Sequence, residues 1–252
     1  MLFQPGASFL HRWHPLTKLT FSFCAAVFIF AAPGGFLTAV LAGLTAWLML
    51  GVADQAGFAA RLSLRLLAPT ALILLIIHGF FNPENQTVVL RAGMFSLGRE
   101  GLVFAAQISL RLAAFLAASL VLVLTTRPAH LLQALEESGL PRGFSYVLGS
   151  PLILLPQVAQ RVESIRAAQQ ARGLETQGSL AQRIRALFPL AAPLIFGTLV
   201  DVEERSLALE VRGFGARGHR SHLNRLADSP VQRWARRIML FSALTASLAA
   251  LL

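Results

Sequence analysis

The chain has 252 residues, 55% of them hydrophobic and 13% charged, with a mean hydropathy of +0.63. Soluble domains carry about a quarter charged residues, so the composition excludes an ordinary water-soluble protein and points to a membrane protein. The single cysteine, Cys24, excludes an internal disulfide and a cysteine-based zinc site, and leaves a net charge of +10 to be explained by lipid, nucleic acid or a partner.

Met1 to Thr17 mixes apolar residues with His11, Arg12, His14 and Pro15, unlike a cleavable signal with its basic start and small-residue cleavage site. A membrane helix needs about 20 mostly apolar residues to cross roughly 30 Å of hydrocarbon. Lys18 to Ala53 has no charge after Lys18 and is interrupted by Pro33-Gly34-Gly35, which predicts a hairpin of two spans. A third run, Leu66 to Phe81, ends at Asn82-Pro83; a fourth, Gly101 to Thr125, is broken only by Arg111. The last, Ile238 to Leu252, begins at Val231 if Arg233, Arg236 and Arg237 snorkel to the interface. The reading is an all-α membrane protein of about five transmembrane helices. Residues 1–125 hold four spans, residues 126–230 form a helical insert, and residues 231–252 form the last span.

The insert carries arginines from Arg127 to Arg225, with Arg233, Arg236 and Arg237 directly after it. Basic loops near span ends stay in the cytoplasm, which places the insert and the amino terminus inside and the Asn82–Gly98 loop outside. Thr125-Thr126-Arg127-Pro128 closes the fourth span, and a short helix follows from about Ala129 to Ser138. A long helix from about Phe144 to Arg172 is stopped by Gly173, with an apolar stripe at Val158, Val162 and Ile165. Another runs from about Leu180 to Val211 and is stopped by Gly213. Its uncharged centre, Ala186 to Val200, is short for a span and reads as a helix under the membrane or packed on others. A sixth, kinked span is the alternative.

Both long helices end alike, in Ala171-Arg172-Gly173 and Val211-Arg212-Gly213. Glycine beyond a helix end adopts the left-handed conformation that closes it, and an arginine in the last turn suits the negative end of the helix dipole. A guanidinium projecting from such an end can form a forked pair with a carboxylate of another protein. Arg-Gly is also a common helix stop, and it is the pairing that singles these two out as docking points.

With these motifs the chain resembles the transmembrane T component of energy-coupling-factor transporters, the family that includes membrane subunits of cobalt, nickel and biotin importers. The resemblance begins with Ser8-Phe9-Leu10-His11-Arg12-Trp13-His14-Pro15-Leu16-Thr17-Lys18, where His14 replaces the family's usual acidic residue. It continues through Thr125-Thr126-Arg127-Pro128, Leu131 to Glu136 and Gly139-Leu140-Pro141, and ends on the pair of Ala-Arg-Gly signatures. Ala216-Arg217-Gly218 spells the triplet again, but the flanking residues align the second signature with Arg212, where Val211 replaces alanine.

The resemblance implies a coupling subunit with no catalytic residue, metal or cofactor of its own. Two cytoplasmic ATP-binding-cassette subunits would bind ATP and magnesium and dock on Ala171, Arg172, Gly173, Val211, Arg212 and Gly213. Their motion would pass through crossed coupling helices to a membrane-embedded substrate-binding subunit for vitamin or transition-metal uptake, in the bacterial cytoplasmic membrane. The rival functions are an intramembrane enzyme, which would need acids or nucleophiles converging within the spans, and a stand-alone secondary carrier, which would show repeated halves.

No Walker-type loop is present, and Gly213 to Gly218 follows no strand. His219 and His222 have no nearby acid or cysteine to complete a metal site. His78 reads as an interfacial or capping residue. The basic residues have no stacking aromatics interleaved among them, against nucleic-acid binding. Arg111, an intramembrane charge, is either functional or a snorkelling side chain.

Overall fold

The computed structural model describes residues 8–31, 36–82, 87–92, 95–174, 179–216 and 226–251. A short 3-10 helix at Phe9–Arg12 is followed by α1 (Pro15–Phe30), α2 (Phe36–Val52), α3 (Ala56–Phe81), α4 (Arg99–Thr125), α5 (Pro128–Glu137), α6 (Arg142–Ala171), α7 (Leu180–Val211) and α8 (Pro230–Leu251). The fold is all-α apart from one antiparallel pair, β1 (Val88–Ala92) and β2 (Phe95–Gly98), with Leu90 opposite Leu97 and Arg91 opposite Ser96. The sequence predicts a loop over Asn82–Gly98, and the structure pairs two short strands within it. The β-branched Val88 and Val89 were the available signal, too short to separate from a loop by periodicity.

Two compact units emerge: residues 1–139 with 226–252, and residues 140–225. In the first, α4 is the central helix and packs against α1, α2 and α3, while α8 and α5 both pack on α1. The α2 side of the core is a single stripe, Ala39, Gly43, Ala46 and Leu50, at helical spacing. It meets Ala114, Ala117, Ala118, Val121 and Leu124 of α4. At the closest point a Cβ on Gly43 would stand 3.0 Å from the Ala114 Cβ, so only glycine admits this approach.

The interior is therefore mostly alanine, while Leu64, Leu72, Ile73, Leu41 and Leu48 face outward. Lipid is as apolar as leucine, so large side chains gain little by turning inward, and small ones let backbones come together.

Among the described residues three helices, α3, α4 and α7, are long and apolar enough to cross a membrane, and α1 and α2 are shorter apolar helices. α3 starts at Ala56, well before the expected Leu66, because Ala59 and Ser63 are buried while Arg61 and Arg65 occupy exposed faces. α7 is one continuous helix through Pro189 and Pro193, with the expected bounds Leu180–Val211. Pro33-Gly34-Gly35 and Pro83 lie outside the described residues.

Candidate functional site

The second unit consists of α6 and α7. Ser179 starts α7 with a capping box: its Oγ accepts from the Gln182 N–H, and the Gln182 Oε1 accepts from the Ser179 N–H at 2.8 Å. The two helices run antiparallel, since Arg161 meets Asp201 while Gln169, further along α6, donates to the Pro189 carbonyl at 3.3 Å. Both guanidinium nitrogens of Arg161 donate to the Asp201 carboxylate, one at 3.0 Å. Gly197 lies under the arginine, where a Cβ would come within 3.3 Å of its Nη1. Leu154, Gln157, Val158, Glu204 and Arg205 complete a cleft of about 520 Å³ around the ion pair.

The half-buried line of α6 is Leu154, Val158, Arg161, Ile165 and Gln169. Arg161 takes the place that the apolar stripe assigned to Val162, which is exposed. A step of three rather than four after Val158 brings the guanidinium onto α7, and Asp201 makes that position polar. Hydrophobic periodicity passes over such a residue.

The ends of α6 and α7 close identically. Gly173 and Gly213 both have positive φ, +88° and +68°. The Leu174 N–H returns to the Gln169 carbonyl at 3.0 Å, and the Phe214 N–H to that of Leu209 at 2.9 Å. These six-to-one bonds are the signature of the glycine-closed helix end. Arg172 and Arg212 are the two C-cap residues. Both are exposed, as are Ala171 and Val211, the latter at 89%.

Their backbone N–H groups close the helix ends, on the Gln169 carbonyl for Arg172 and the Ala208 carbonyl for Arg212, while neither guanidinium has a hydrogen bond or ion pair among the described residues. The Phe214 ring sits edge-on to Tyr146 at 5.2 Å, which ties the end of α7 to the start of α6. The two arginines thus occupy opposite ends of an antiparallel pair. Arg217, His219 and His222 lie outside the described residues.

In the first unit, His14 stands directly before α1. Its Nδ1 accepts from the Leu16 N–H at 3.3 Å and so caps α1, where Pro15 is the first residue. The His14 and Thr17 main-chain and hydroxyl donors both reach the Gln232 Oε1 of α8. Arg236 does not snorkel. It forms a forked pair with Asp228, at 3.0 and 2.7 Å, and donates to the Thr17 hydroxyl.

Arg237 lies over the Trp234 ring at 5.4 Å. His78 packs edge-on against Phe104 at 4.8 Å. Arg111, near the middle of α4, has a buried Nε with no hydrogen-bond partner. No group of three or more metal-ligating side chains occurs among the described residues.

Apolar helices whose small residues pack together while their large ones face out define an α-helical membrane protein, and its second unit presents two matched, unpaired arginines. Residues 6–223 match the CbiQ cobalt transport protein family. The chain is 33% identical over 239 residues to the energy-coupling factor transporter transmembrane protein EcfT of Brevibacillus brevis, spanning 89% of this chain and 87% of that one. It is 30% identical over 222 residues to the same-named protein of Exiguobacterium sibiricum, covering 83% and 82% of the two chains. With that of Bacillus subtilis the identity is 29% over 224 residues, covering 84% and 83%. The chain belongs to this family, the transmembrane T components of energy-coupling-factor transporters.

Proposed function

We propose that the chain couples two cytoplasmic ATP-binding-cassette subunits to a membrane-embedded substrate-binding subunit, in a bacterial cytoplasmic membrane, for uptake of a vitamin or a transition metal. ATP and magnesium belong to the ATPase subunits; this chain transmits motion and performs no chemistry. The observation that carries the reading is the pair of identical helix ends with exposed, unpaired Arg172 and Arg212. Each guanidinium would enter an acidic groove of one ATPase, with Ala171 and Gly173, or Val211 and Gly213, against its rim. The ion pair between Arg161 and Asp201 would make the two ends move together.

In this reading residues 126–230 are cytoplasmic. α7 has the length and composition of a span, yet α6, bound to it through Arg161, brings Gln157, Gln160, Glu163 and Arg166 along the same stretch. Taking α7 into hydrocarbon would take these polar groups with it, at a cost of several kcal/mol for each charge. Arg111 would meet a polar group of the substrate-binding subunit, because a charge in mid-span needs a partner.

The test is charge reversal in the assembled transporter. Losing one side of a desolvated charge pair costs roughly 2–5 kcal/mol, about a 30- to 4,000-fold loss of affinity. Arg172→Glu with Arg212→Glu is expected to release the ATPases from membranes and abolish ATP-driven uptake, while Arg217→Glu is not. Normal ATPase recruitment and uptake by the double variant would overturn the docking role.

A further inference from the structure

At one end of the first unit, the start of α1, the junction of α4 with α5 and the segment before α8 enclose a cavity of about 210 Å³. Arg12, His14, Lys18, Thr126, Arg127 and His130 are among its lining residues, and no acidic side chain is. The acids nearest in effect are Asp228 and Glu137, both of which act on His14. Asp228 is held by Arg236, and Glu137 accepts from the Gln133 amide at 3.0 Å. Among the described residues the lining is therefore cationic.

Two buried groups give it the character of a built site. Lys18 is 2% exposed, and its ammonium, with three N–H donors, makes one hydrogen bond among the described residues, to the Thr125 carbonyl at 2.9 Å. A buried ammonium facing only a neutral carbonyl is costly to desolvate and is satisfied by an anion. Thr126 is 6% exposed, and its hydroxyl is buried without a hydrogen-bond partner. Beside them α5 begins, with Arg127 as its N-cap residue and no side-chain cap on its first turn, so the positive end of that helix opens on the same space.

We propose that this cavity binds a phosphate group, held by the Lys18 ammonium, the Thr126 hydroxyl and the Arg12 guanidinium. The ligand is either the headgroup phosphodiester of an anionic phospholipid or free inorganic phosphate. The site is separate from the arginines at the helix ends and does not depend on their role.

The test uses the full chain in nanodiscs, either of phosphatidylcholine alone or with phosphatidylglycerol, and in phosphatidylcholine discs titrated with inorganic phosphate. Thermal unfolding and native mass spectrometry after mild delipidation are the readouts. Phosphatidylglycerol is expected to raise Tm and to stay bound. Thr126→Val, nearly the same shape, and Arg12→Gln are each expected to weaken that retention about tenfold or more, the loss of one hydrogen bond to a charged group. Arg65→Gln, exposed on α3 and outside the cavity, is expected to bind as the unaltered chain does.

A Tm rise with inorganic phosphate that Thr126→Val abolishes would assign the site to free phosphate. A response to phosphatidylglycerol alone would assign it to lipid. No response to either ligand, or equal binding by Thr126→Val, Arg12→Gln and the unaltered chain, overturns the proposal.

Discussion

Arg161 of α6 and Asp201 of α7 form a forked ion pair, and each precedes a helix-ending arginine, Arg172 or Arg212, by the same interval. That interval is roughly three helical turns, about 16 Å of helix axis. The pair therefore stands midway between the two candidate docking points, which lie at opposite ends of the antiparallel helices.

With their side chains 37% and 41% exposed, the two residues are screened by solvent and contribute little to stability. Their larger effect is expected on coupling. Arg161→Ala and Asp201→Ala should each leave ATPase binding intact but lower substrate uptake per ATP several-fold. The exchange Arg161→Asp with Asp201→Arg should recover most of that ratio. An exchange as defective as the single changes would show that the charges act on a partner rather than on each other.

Gly173 and Gly213 hold backbone conformations that a Cβ disfavours by about 1–2 kcal/mol. Space is not the obstacle: among the described residues nothing lies within 4 Å of a Cβ at Gly173, and at Gly213 only the Ala216 Cβ does, at 3.7 Å. Gly173→Ala and Gly213→Ala should thus redirect the neighbouring arginine and weaken ATPase capture in pull-down assays. Asparagine, which tolerates this conformation, should restore part of it.

Two groups at the junction of α1 and α8 make stability depend on pH. Burial holds the His14 imidazole below its ordinary value, with Asp228 opposing and Arg236 adding to the shift. Between that lowered value and about 6.5 the unfolded chain binds a proton that the folded one does not, so stability rises with pH and levels off above. The hydrogen bond from Arg236 holds the Asp228 carboxyl below its ordinary value. Its contribution is present above about pH 4 and is lost as pH falls through the folded value. Thermal unfolding in detergent should show both slopes. His14→Asn, which keeps a capping oxygen but does not titrate, should flatten the upper one.

Arg111 should behave differently in the chain alone and in the complex. Its buried Nε has no partner, so Arg111→Leu should leave the isolated chain equally stable or more so. The assembled complex should lose its substrate-binding subunit about tenfold more readily, provided that subunit supplies the missing acceptor. Equal retention by both forms would confine Arg111 to snorkelling.

Topology can be read by labelling in a Cys24→Ala background, since Cys24 is 3% exposed and the only thiol. Val89→Cys, at an exposed position of β1, should react with an impermeant reagent in intact cells. Gln170→Cys, exposed on α6, should react only after permeabilisation. The opposite pattern would invert the orientation.

Apolar run length, the glycine stops and the two Arg-Gly ends are properties of consecutive residues, and from them follow the helices, the ends of α6 and α7 and the family, but not the start of α3 at Ala56 or the β1–β2 pair. Arg172 and Arg212 were legible for this reason, because a left-handed glycine and its preceding arginine need no distant partner. What lay beyond the sequence were relations between segments far apart in it. Arg161 interrupts an apolar stripe and reads as a surface charge until Asp201, on the next helix, is brought against it. Arg236 reads as a snorkelling arginine until Asp228 and Thr17 surround it. Lys18 reads as the charged border of a span, and only packing against α4 buries it beside Thr126 in a cavity of its own sign. A charge's meaning depends on which charges and dipoles share its low-dielectric surroundings, and tertiary structure alone decides that.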